Sequence, residues 1–195
     1  MDRQVSYERE TKETSISLKL NIDGRGNYDI TTGIGFFDHM LEGFARHGLF
    51  NLLLRVDGDT EVDAHHTVED TGIALGEAFA KALGDKEGIV RYGSSILPMD
   101  DALVLVSLDF SGRPYLVYEA SLPSPTLGTM ETETVREFFL GFVNGACINL
   151  HIKQLAGENT HHIVEAMFKA FSKALDAATR VDPRIEGVLS TKGVL

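Results

Sequence analysis

The chain has 195 residues, 43% of them hydrophobic, which is enough apolar material for one compact domain or two half-size lobes. Its formal net charge of -11 argues against a nucleic-acid partner, because phosphate backbones bind basic faces. No apolar run reaches the length of a membrane span, and the charged first residues do not resemble a secretory or transit peptide. We therefore expect a cytoplasmic protein that does not bind membranes.

The first half of the chain alternates strand and helix patterns. Residues 15–22 alternate apolar and polar side chains, which predicts a strand with one buried face. Residues 37–45 predict a short helix that ends at Gly48. An apolar strand over 51–56 and a helix over 66–83 follow. The predicted buried stripe of that helix is Val68, Leu75, Phe79 and Leu83.

The second half repeats this order. Strands are predicted over residues 103–110 and 115–120, and a helix begins at about Thr132. The last helix has an apolar stripe that matches the earlier one: Val164, Phe168, Phe171 and Leu175. The single cysteine, Cys147, lies in an apolar stretch, so we expect a buried, reduced thiol without a catalytic function.

Two segments of the halves can be aligned directly. Residues 139–142 match 41–44, and residues 149–152 match 51–54. This repetition predicts an internally duplicated α+β fold of two halves, each a sheet covered on one face by helices. The predicted halves span 1–86 and 87–180, and 181–195 form a polar tail that closes on a substrate.

The most informative pattern is a duplicated five-residue motif. His65-His66-Thr67-Val68-Glu69 returns nearly unchanged as His161-His162-Ile163-Val164-Glu165. A glutamate four residues after a histidine shares its helix face, so each motif can present the two side chains together. Adjacent histidines diverge by about 100° around a helix, so the two imidazoles of a pair point at different targets. We infer two metal ions, each with ligands from more than one segment.

Two further histidines lie in matching halves. His39 begins the first predicted helix, and His151 lies in an apolar strand where the aligned residue is Leu53. The residues alone leave His151 open between a core histidine and a ligand. Six histidines and two glutamates would provide four ligands for each of two ions and leave positions for a substrate. Such ligands suit manganese, iron, cobalt or zinc. His47 is expected to interact with its helix dipole instead.

Four longer motifs occur along the chain. They read GFFDHML from Gly35, DAHHTVED from Asp63, SGRPY from Ser111 and GENTHHIVEA from Gly157. Together they resemble the imidazoleglycerol-phosphate dehydratase family of histidine biosynthesis. This resemblance implies a duplicated fold like the second domain of ribosomal protein S5. It also implies a homo-oligomer of 24 subunits with active sites between subunits, two divalent ions per site, Mn²⁺ being expected, and a small-molecule phosphate substrate.

The resemblance also assigns functions to single residues. The family's metal ligands match His39, His65, His66, Glu69, His151, His161, His162 and Glu165. Its phosphate-binding positions match Arg91, Arg113, Lys169, Ser190 and Lys192, and its acid-base glutamate matches Glu13. Two positions depart from the family pattern: Asp100-Asp101, where Asp-Glu is usual, and Asn51, where aspartate is common. We expect neither departure to contact the ligands.

The implied reaction removes water from imidazole glycerol phosphate and yields imidazole acetol phosphate. Its difficulty is that no carbonyl activates the hydrogen next to the leaving hydroxyl. Two cations on the substrate's own imidazole would stabilise its deprotonated form, so the resemblance implies a metal-bound imidazolate. Glu13 is expected to move the proton to or from carbon as a general acid-base group. Without the resemblance, a solvated strand-edge residue is the better interpretation of Glu13.

Two other functions fit part of the pattern. A two-metal hydrolase would use its ions to generate hydroxide, but such sites favour aspartates and bridging carboxylates over imidazoles. A metal-stapled, non-enzymatic assembly protein would fill all coordination positions with protein ligands. It would not explain the cations suited to phosphate, so the residues favour the dehydratase.

Overall fold

The computed structural model describes residues 3–194, so Met1 and Asp2 of the first predicted half and Leu195 of the predicted tail lie outside the described residues. The first half contains β1 (Gln4–Glu10), β2 (Thr14–Asn21), β3 (Tyr28–Thr31), α1 (Gly35–Gly48), β4 (Asn51–Gly58) and α2 (His65–Leu83). The second half contains β5 (Tyr92–Met99), β6 (Ala102–Asp109), β7 (Tyr115–Glu119), β8 (Thr126–Leu127), β9 (Met130–Glu131), α3 (Thr134–Ala146), β10 (Asn149–Ala156) and α4 (Thr160–Thr179). Among the helices of this described part, none is long and apolar enough to cross a membrane.

Both halves have the same sheet topology. The strand order is β1-β2-β4-β3 in the first four-stranded sheet and β5-β6-β10-β7 in the second. In each sheet one edge strand, β3 or β7, runs parallel to its neighbour, and the other pairs are antiparallel. The short strands β8 and β9 form a separate hairpin. The duplicated α+β fold predicted from the sequence is confirmed.

Helices cover one face of each sheet because the central strands alternate buried and exposed residues. In β2, Ile16 and Leu18 are buried whereas Ser17 and Lys19 are exposed. Helices α1 and α2 pack on the first sheet, and α3 and α4 pack on the second. Across the halves, α1 contacts α4 and α2 contacts α3. The four helices therefore lie between the two sheets, with the outer face of each sheet exposed.

A ring of four phenylalanines joins the halves into one core. Phe44 of α1, Phe79 of α2, Phe142 of α3 and Phe171 of α4 are fully buried. Successive ring centroids are 6.1, 5.5, 4.9 and 5.7 Å apart in the order Phe44, Phe79, Phe142, Phe171 and back to Phe44. Aromatic pairs at such separations are favourable. Each helix thus contributes to a core that neither half completes alone.

The contact between α2 and α3 is a close backbone approach. Glycines line it on both sides: Gly72 and Gly76 on α2, Gly141 and Gly145 on α3. A Cβ atom added to any of these four would overlap a backbone carbonyl oxygen of the opposite helix. Because interiors are close-packed, a methyl group here would have to push the helices apart.

The pair α1 and α4 packs differently. By the alignment of the two HHxxE motifs, Phe168 and Ser172 of α4 take the positions of Gly72 and Gly76. On α1, a Cβ atom added to Gly43 would have open space around it. A cavity lined by Gly43 and Phe168 opens between these two helices. The two helix pairs are therefore related in sequence, but α1 and α4 lie farther apart at this contact than α2 and α3.

In the two four-stranded sheets, strands β1, β3 and β5 are absent from the elements that the sequence predicts. All three lie at the edges of their sheets. The side chains of β1 alternate between exposed and half-buried rather than between exposed and buried. The period-two hydrophobic pattern is correspondingly weak there, because an edge strand buries less of its inner face.

The expected burial of Cys147 is wrong, since this residue is exposed. Cys147 follows the last turn of α3 with a φ of 53°, in the left-handed region. Its neighbours Ala146 and Ile148 are buried. The apolar stretch therefore contains one outward-facing position where the chain turns from α3 toward β10.

Gly72→Ala should destabilise the protein by about 1–3 kcal/mol, because the added methyl overpacks the contact between α2 and α3. Gly43→Ala is the matched control, since alanine has room there and should leave stability unchanged or raise it by about 0.5–1 kcal/mol. Urea unfolding of the metal-free variants, followed by circular dichroism, measures both free energies. Equal stability of the two variants would contradict the close contact.

Candidate metal centre and active site

Three predicted ligands meet between α1 and α4. His39 of α1 and His161 and Glu165 of α4 each offer one ligand atom, and these atoms all lie within 4.8 Å of one another. Glu165 Oε2 is 3.2 Å from His161 Nε2 and 3.9 Å from His39 Nε2. Two imidazoles and a carboxylate at such separations fit a divalent transition metal. The candidate ligands of this group come from two segments of the chain, α1 and α4, as we expected from the different directions of adjacent histidines.

Lys169 holds the other oxygen of Glu165. Its Nζ atom lies 2.6 Å from Glu165 Oε1, one helical turn along α4. Burial raises the pKa of Glu165, but the hydrogen bond from Lys169 and the nearby imidazoles outweigh burial and bring the pKa below its ordinary value. The carboxylate is therefore ionised at neutral pH, and its Oε2 atom faces the two histidines.

His47 lines the cavity beside this group. It lies in the last turn of α1, as expected, but its surroundings include Glu165 and Lys169 in a cavity of about 260 Å³. Burial and the charge of Lys169 lower the pKa of His47, so its imidazole is neutral at pH 7. A polar stripe at helical spacing could have revealed this position from the sequence, since the polar residues His39, Glu42, Arg46 and His47 of α1 all line the cavity.

The first HHxxE motif turns its histidines to different partners. His65 Nε2 lies 3.8 Å from Glu69 Oε2 on one face of α2. The ring of His66 is held by Asp59, whose carboxylate oxygens lie 3.0 and 3.2 Å from Nδ1. A proton on Nδ1 leaves Nε2 with the lone pair that a metal needs. This Nε2 atom lies 3.8 Å from Glu13 Oε1, so Glu13 adjoins a predicted ligand.

The Asp100-Asp101 turn contacts the second motif, so the expectation that it would not contact the ligands is wrong. Asp101 Oδ1 lies 2.6 Å from His162 Nδ1, and Asp100 Oδ2 lies 3.4 Å from Nε2. Asp101 also accepts hydrogen bonds from the backbone N–H groups of Glu158 (2.7 Å) and Asn159 (3.1 Å). These backbone donors and His162 hold the pKa of Asp101 well below its usual range. An aspartate reaches His162, a predicted ligand, because the turn packs directly on the N-cap of α4.

Asn51, the other departure from the family pattern, holds a loop of the first half. Its Oδ1 atom accepts hydrogen bonds from the backbone N–H groups of Arg25 at 2.9 Å and Asn27 at 3.1 Å. These bonds organise the connection between β2 and β3. The function of Asn51 is therefore structural.

His151 lies on the outer face of the second sheet, so its interpretation as a core histidine is wrong. In β10 the buried residues are Leu150 and Ile152, and His151 is exposed between them. The aligned Leu53 of β4 is also exposed. Helix α4, which holds two of the three grouped ligands, packs against the other face of this sheet. The sheet thus separates His151 from the three-ligand group of its own chain.

Within residues 3–194, the set of His39, His161 and Glu165 is the one group of three or more candidate ligands. For the remaining predicted ligands, binding of a metal stays a prediction. These are His65, His66, Glu69, His151 and His162.

A second cavity, of about 770 Å³, adjoins the tail. Four of the predicted phosphate-binding residues line it: Arg91, Arg113, Ser190 and Lys192. Arg91 is oriented by Asp109, with Nε 2.6 Å from Oδ1 and Nη2 3.0 Å from Oδ2. Its Nη1 atom donates to the carbonyl oxygen of Leu189 at 2.8 Å, which attaches the tail. The fifth predicted residue, Lys169, lies in the cavity between α1 and α4 instead.

A family model described as imidazoleglycerol-phosphate dehydratase matches residues 32–175. The chain belongs to the imidazoleglycerol-phosphate dehydratase family. The imidazoleglycerol-phosphate dehydratase of Acetivibrio thermocellus is 63% identical over 195 residues, with 100% of each protein covered. That of Lachnoclostridium phytofermentans is 60% identical, also over 195 residues and 100% of each protein.

Solved structures of the family have the same fold. The crystal structure of imidazoleglycerol-phosphate dehydratase from Staphylococcus aureus has a TM-score of 0.82 and 39% identity, covering 91% of this chain and 100% of that chain. The enzyme from Pyrococcus furiosus, solved in complex with a compound, has a TM-score of 0.84 and 40% identity, covering 96% and 99%.

These comparisons confirm the family inferred from the motifs. Imidazoleglycerol-phosphate dehydratases are hydro-lyases that act on imidazole glycerol phosphate in histidine biosynthesis, and the chain is an enzyme of this class. The family is metal-dependent. The group of His39, His161 and Glu165 agrees with metal dependence. The hydrolase and the non-enzymatic assembly protein, considered from the sequence, do not fit this family.

Asp59→Asn should lower the pKa of His66 in the metal-free protein. The hydrogen bond to Asp59 raises this pKa above its ordinary value of 6.5 and outweighs burial, which lowers it. The folded state therefore binds the proton more tightly than the unfolded state. Protonated His66 stabilises the fold fully below pH 6.5, and this contribution is lost as the pH rises through the folded pKa.

NMR titration of the histidine signals measures this shift. Asp57→Asn is the matched control, because Asp57 is an exposed aspartate on β4 and its removal should leave His66 as it is. A His66 titration that is the same in Asp59→Asn and in the unaltered protein would show that Asp59 does not hold the imidazole.

Proposed function

We propose that the chain converts imidazole glycerol phosphate to imidazole acetol phosphate by metal-dependent dehydration, at sites that neighbouring copies of the chain build together. One observation carries this proposal: the predicted site residues are divided between two sides of the second sheet. His39, His161, Glu165 and Lys169 lie on the helix side. His151 lies on the outer side. A complete site therefore requires the helix side of one copy and the outer side of another.

The outer side also offers cations suited to phosphate. In the register of the second sheet, one row crosses all four strands through Tyr92, Asp109, Asn149 and Tyr115. Arg91 directly precedes this row, and His151 lies two residues beyond it on β10. A substrate at this end of the outer face can thus reach both an imidazole ligand and the cavity that contains Arg91 and Arg113.

The proposed phosphate site consists of Arg91, Arg113, Lys169, Ser190 and Lys192. Guanidinium groups present planar forks that match phosphate oxygens. In Arg91 the Nε and Nη2 atoms bind Asp109, which fixes the orientation of the guanidinium group. Ser190 and Lys192 belong to the tail, which the Leu189 carbonyl attaches to Arg91. The tail is therefore suited to close over a bound phosphate.

The proposed cofactor is a pair of divalent ions per site, Mn²⁺ being expected. Imidazole nitrogens and carboxylate oxygens fit such ions. His39, His161 and Glu165 would hold one ion from the helix side, and His65 with Glu69 offers a second pair of donors. His66, His151 and His162 complete the proposed ligands. When bound, the ions supply positive charge that favours the deprotonated form of the substrate's imidazole.

Glu13 is proposed to transfer the proton at the substrate carbon next to the departing hydroxyl. Its side chain is 52% exposed and so accessible to a substrate. Its Oε1 atom lies 3.8 Å from His66 Nε2, beside a predicted ligand. A general acid-base group has to come within hydrogen-bond reach of the reacting atom, and an exposed carboxylate beside a predicted ligand can do so when a substrate binds there.

The proposed assembly is a homo-oligomer. Exposed apolar residues occur on the outer face of the second sheet: Tyr92, Ile96, Tyr115 and Leu155. Apolar side chains on one exposed face are typical of surfaces that another protein chain covers. The subunit number of 24 rests on the resemblance alone. We also propose a cytoplasmic location, on the basis of the biosynthetic reaction, with neither nucleic acid nor a membrane as partner.

Glu13→Gln should lower kcat by about 10²–10⁴-fold with normal metal content, because the amide cannot exchange the proton. Steady-state kinetics and elemental analysis of the same sample measure both quantities. Glu8→Gln is the matched control: Glu8 is an exposed glutamate on β1, and its variant should keep full turnover. Normal turnover and metal content in Glu13→Gln would remove Glu13 from the mechanism.

Mixed assemblies should reveal whether one site draws on two chains. His39→Ala and His151→Ala should each be inactive alone. Co-expressed in equal amounts, they should recover about one quarter of normal activity, because random mixing pairs an intact helix side with an intact outer side at that frequency.

The matched control co-expresses His39→Ala with His161→Ala. Both changes affect the helix side, so every site lacks a ligand and activity should stay lost. Formation of imidazole acetol phosphate by the purified mixtures is the measurement. The proposal fails if the first mixture is inactive or if both mixtures recover equally.

A further inference from the structure

A buried carboxylate on α2 faces the turn that contains Glu13. Asp70 directly follows the predicted ligand Glu69 and is only 8% exposed. Its Oδ1 atom accepts hydrogen bonds from Arg9, at 2.8 Å from Nη2 and 3.2 Å from Nε. Its Oδ2 atom accepts a hydrogen bond from Thr14 Oγ1 at 2.5 Å. Arg9 lies near the end of β1 and Thr14 at the start of β2, so Asp70 links both strands to α2.

Thr11 extends this network to the backbone of Glu13. Its hydroxyl oxygen lies 3.5 Å from Asp70 Oδ2 and 3.1 Å from Thr14 Oγ1. The same oxygen accepts hydrogen bonds from the backbone N–H groups of Glu13 at 3.1 Å and Thr14 at 2.9 Å. The turn between β1 and β2 is therefore closed around one hydroxyl that Asp70 and Thr14 hold in place.

A second contact fixes the turn relative to His66. The carbonyl oxygen of Glu13 accepts a hydrogen bond from the backbone N–H of Asp59 at 3.1 Å. The side chain of Asp59 in turn holds the ring of His66. Asp59 thus contacts both Glu13 and His66, and Asp70 of α2 holds the same turn from its other side.

We propose that Asp70 is a positioning residue that holds the β1–β2 turn, and with it the Glu13 carboxylate, at its working distance from the predicted ligands of α2. The proposal rests on the proposed function of Glu13. A buried carboxylate with hydrogen bonds on both sides of one turn keeps that turn in a single arrangement. A misplacement of about 1 Å in a catalytic group can lower a rate about 10²-fold, so this support affects turnover more than substrate binding.

Asp70→Asn tests this inference with little change in size. We expect kcat to fall by about 10–100-fold, with KM within about twofold and metal content per chain unchanged. Asp23→Asn is the matched control. It removes another arginine–aspartate ion pair, Arg3 with Asp23, which joins the residue before β1 to the chain just after β2, at the end away from the turn, and it should keep normal kcat.

Thr11 provides a second variant in case Asp70→Asn folds poorly. Thr11→Val removes the hydroxyl that accepts from the Glu13 backbone, and kcat should fall in the same way. Thr11→Ser keeps that hydroxyl, and kcat should be largely restored relative to Thr11→Val. If kcat falls equally in Thr11→Val and Thr11→Ser, the hydroxyl of residue 11 does not position Glu13, and the inference is overturned.

A double-mutant cycle decides whether Asp70 acts through Glu13. If it does, Asp70→Asn combined with Glu13→Gln should have the kcat of Glu13→Gln alone, since residues that act as a unit are not additive. The inference about Asp70 would be overturned, while Glu13 keeps its proposed function, by any of three results. These are a double variant whose loss of kcat is the product of the two single losses, a normal kcat in Asp70→Asn, or a loss of metal from Asp70→Asn. Normal turnover in Glu13→Gln itself would overturn both.

Discussion

Backbone contact between α2 and α3 is the constraint on which the position of the candidate site depends. Four glycines bring these two helices, one from each half, so close that no side chain fits between them. In α4 the aligned positions are Phe168 and Ser172, so α1 and α4 cannot approach in the same way. The cavity that contains His39 and Glu165 opens between them. Duplication has thus produced one closed helix pair and one open pair, with the three grouped candidate ligands in the open pair.

Carboxylates hold three of the predicted site residues in place. Asp59 orients His66, Asp101 orients His162, and Asp109 orients Arg91. This arrangement explains how a chain with a net charge of -11 can still present cations and imidazoles to an anionic substrate. The acidic partner of each group fixes its rotamer or tautomer.

The elements that the sequence predicts best are those with the most regular burial. The central strands, all four helices and the edge strand β7 follow from the sequence pattern, whereas the edge strands β1, β3 and β5 do not, and the side chains of β1 alternate only between exposed and half-buried. The candidate site divides similarly. The predicted ligands follow from the motifs and the resemblance, whereas the contacts of Asp59 and Asp101 with His66 and His162 are visible only where separate elements meet.

The sequence by itself determined the duplication, the family and the local pairs such as His161 with Glu165, because helix and strand periods set which near neighbours share a face. Only the tertiary structure decided that His39 joins that pair, that His151 and Cys147 face outward, and that Asp70 reaches the turn of Glu13. These contacts join residues far apart in the chain. They depend on how closely helices and sheets pack, and that spacing is set by the volumes of all the side chains between them rather than by any one segment.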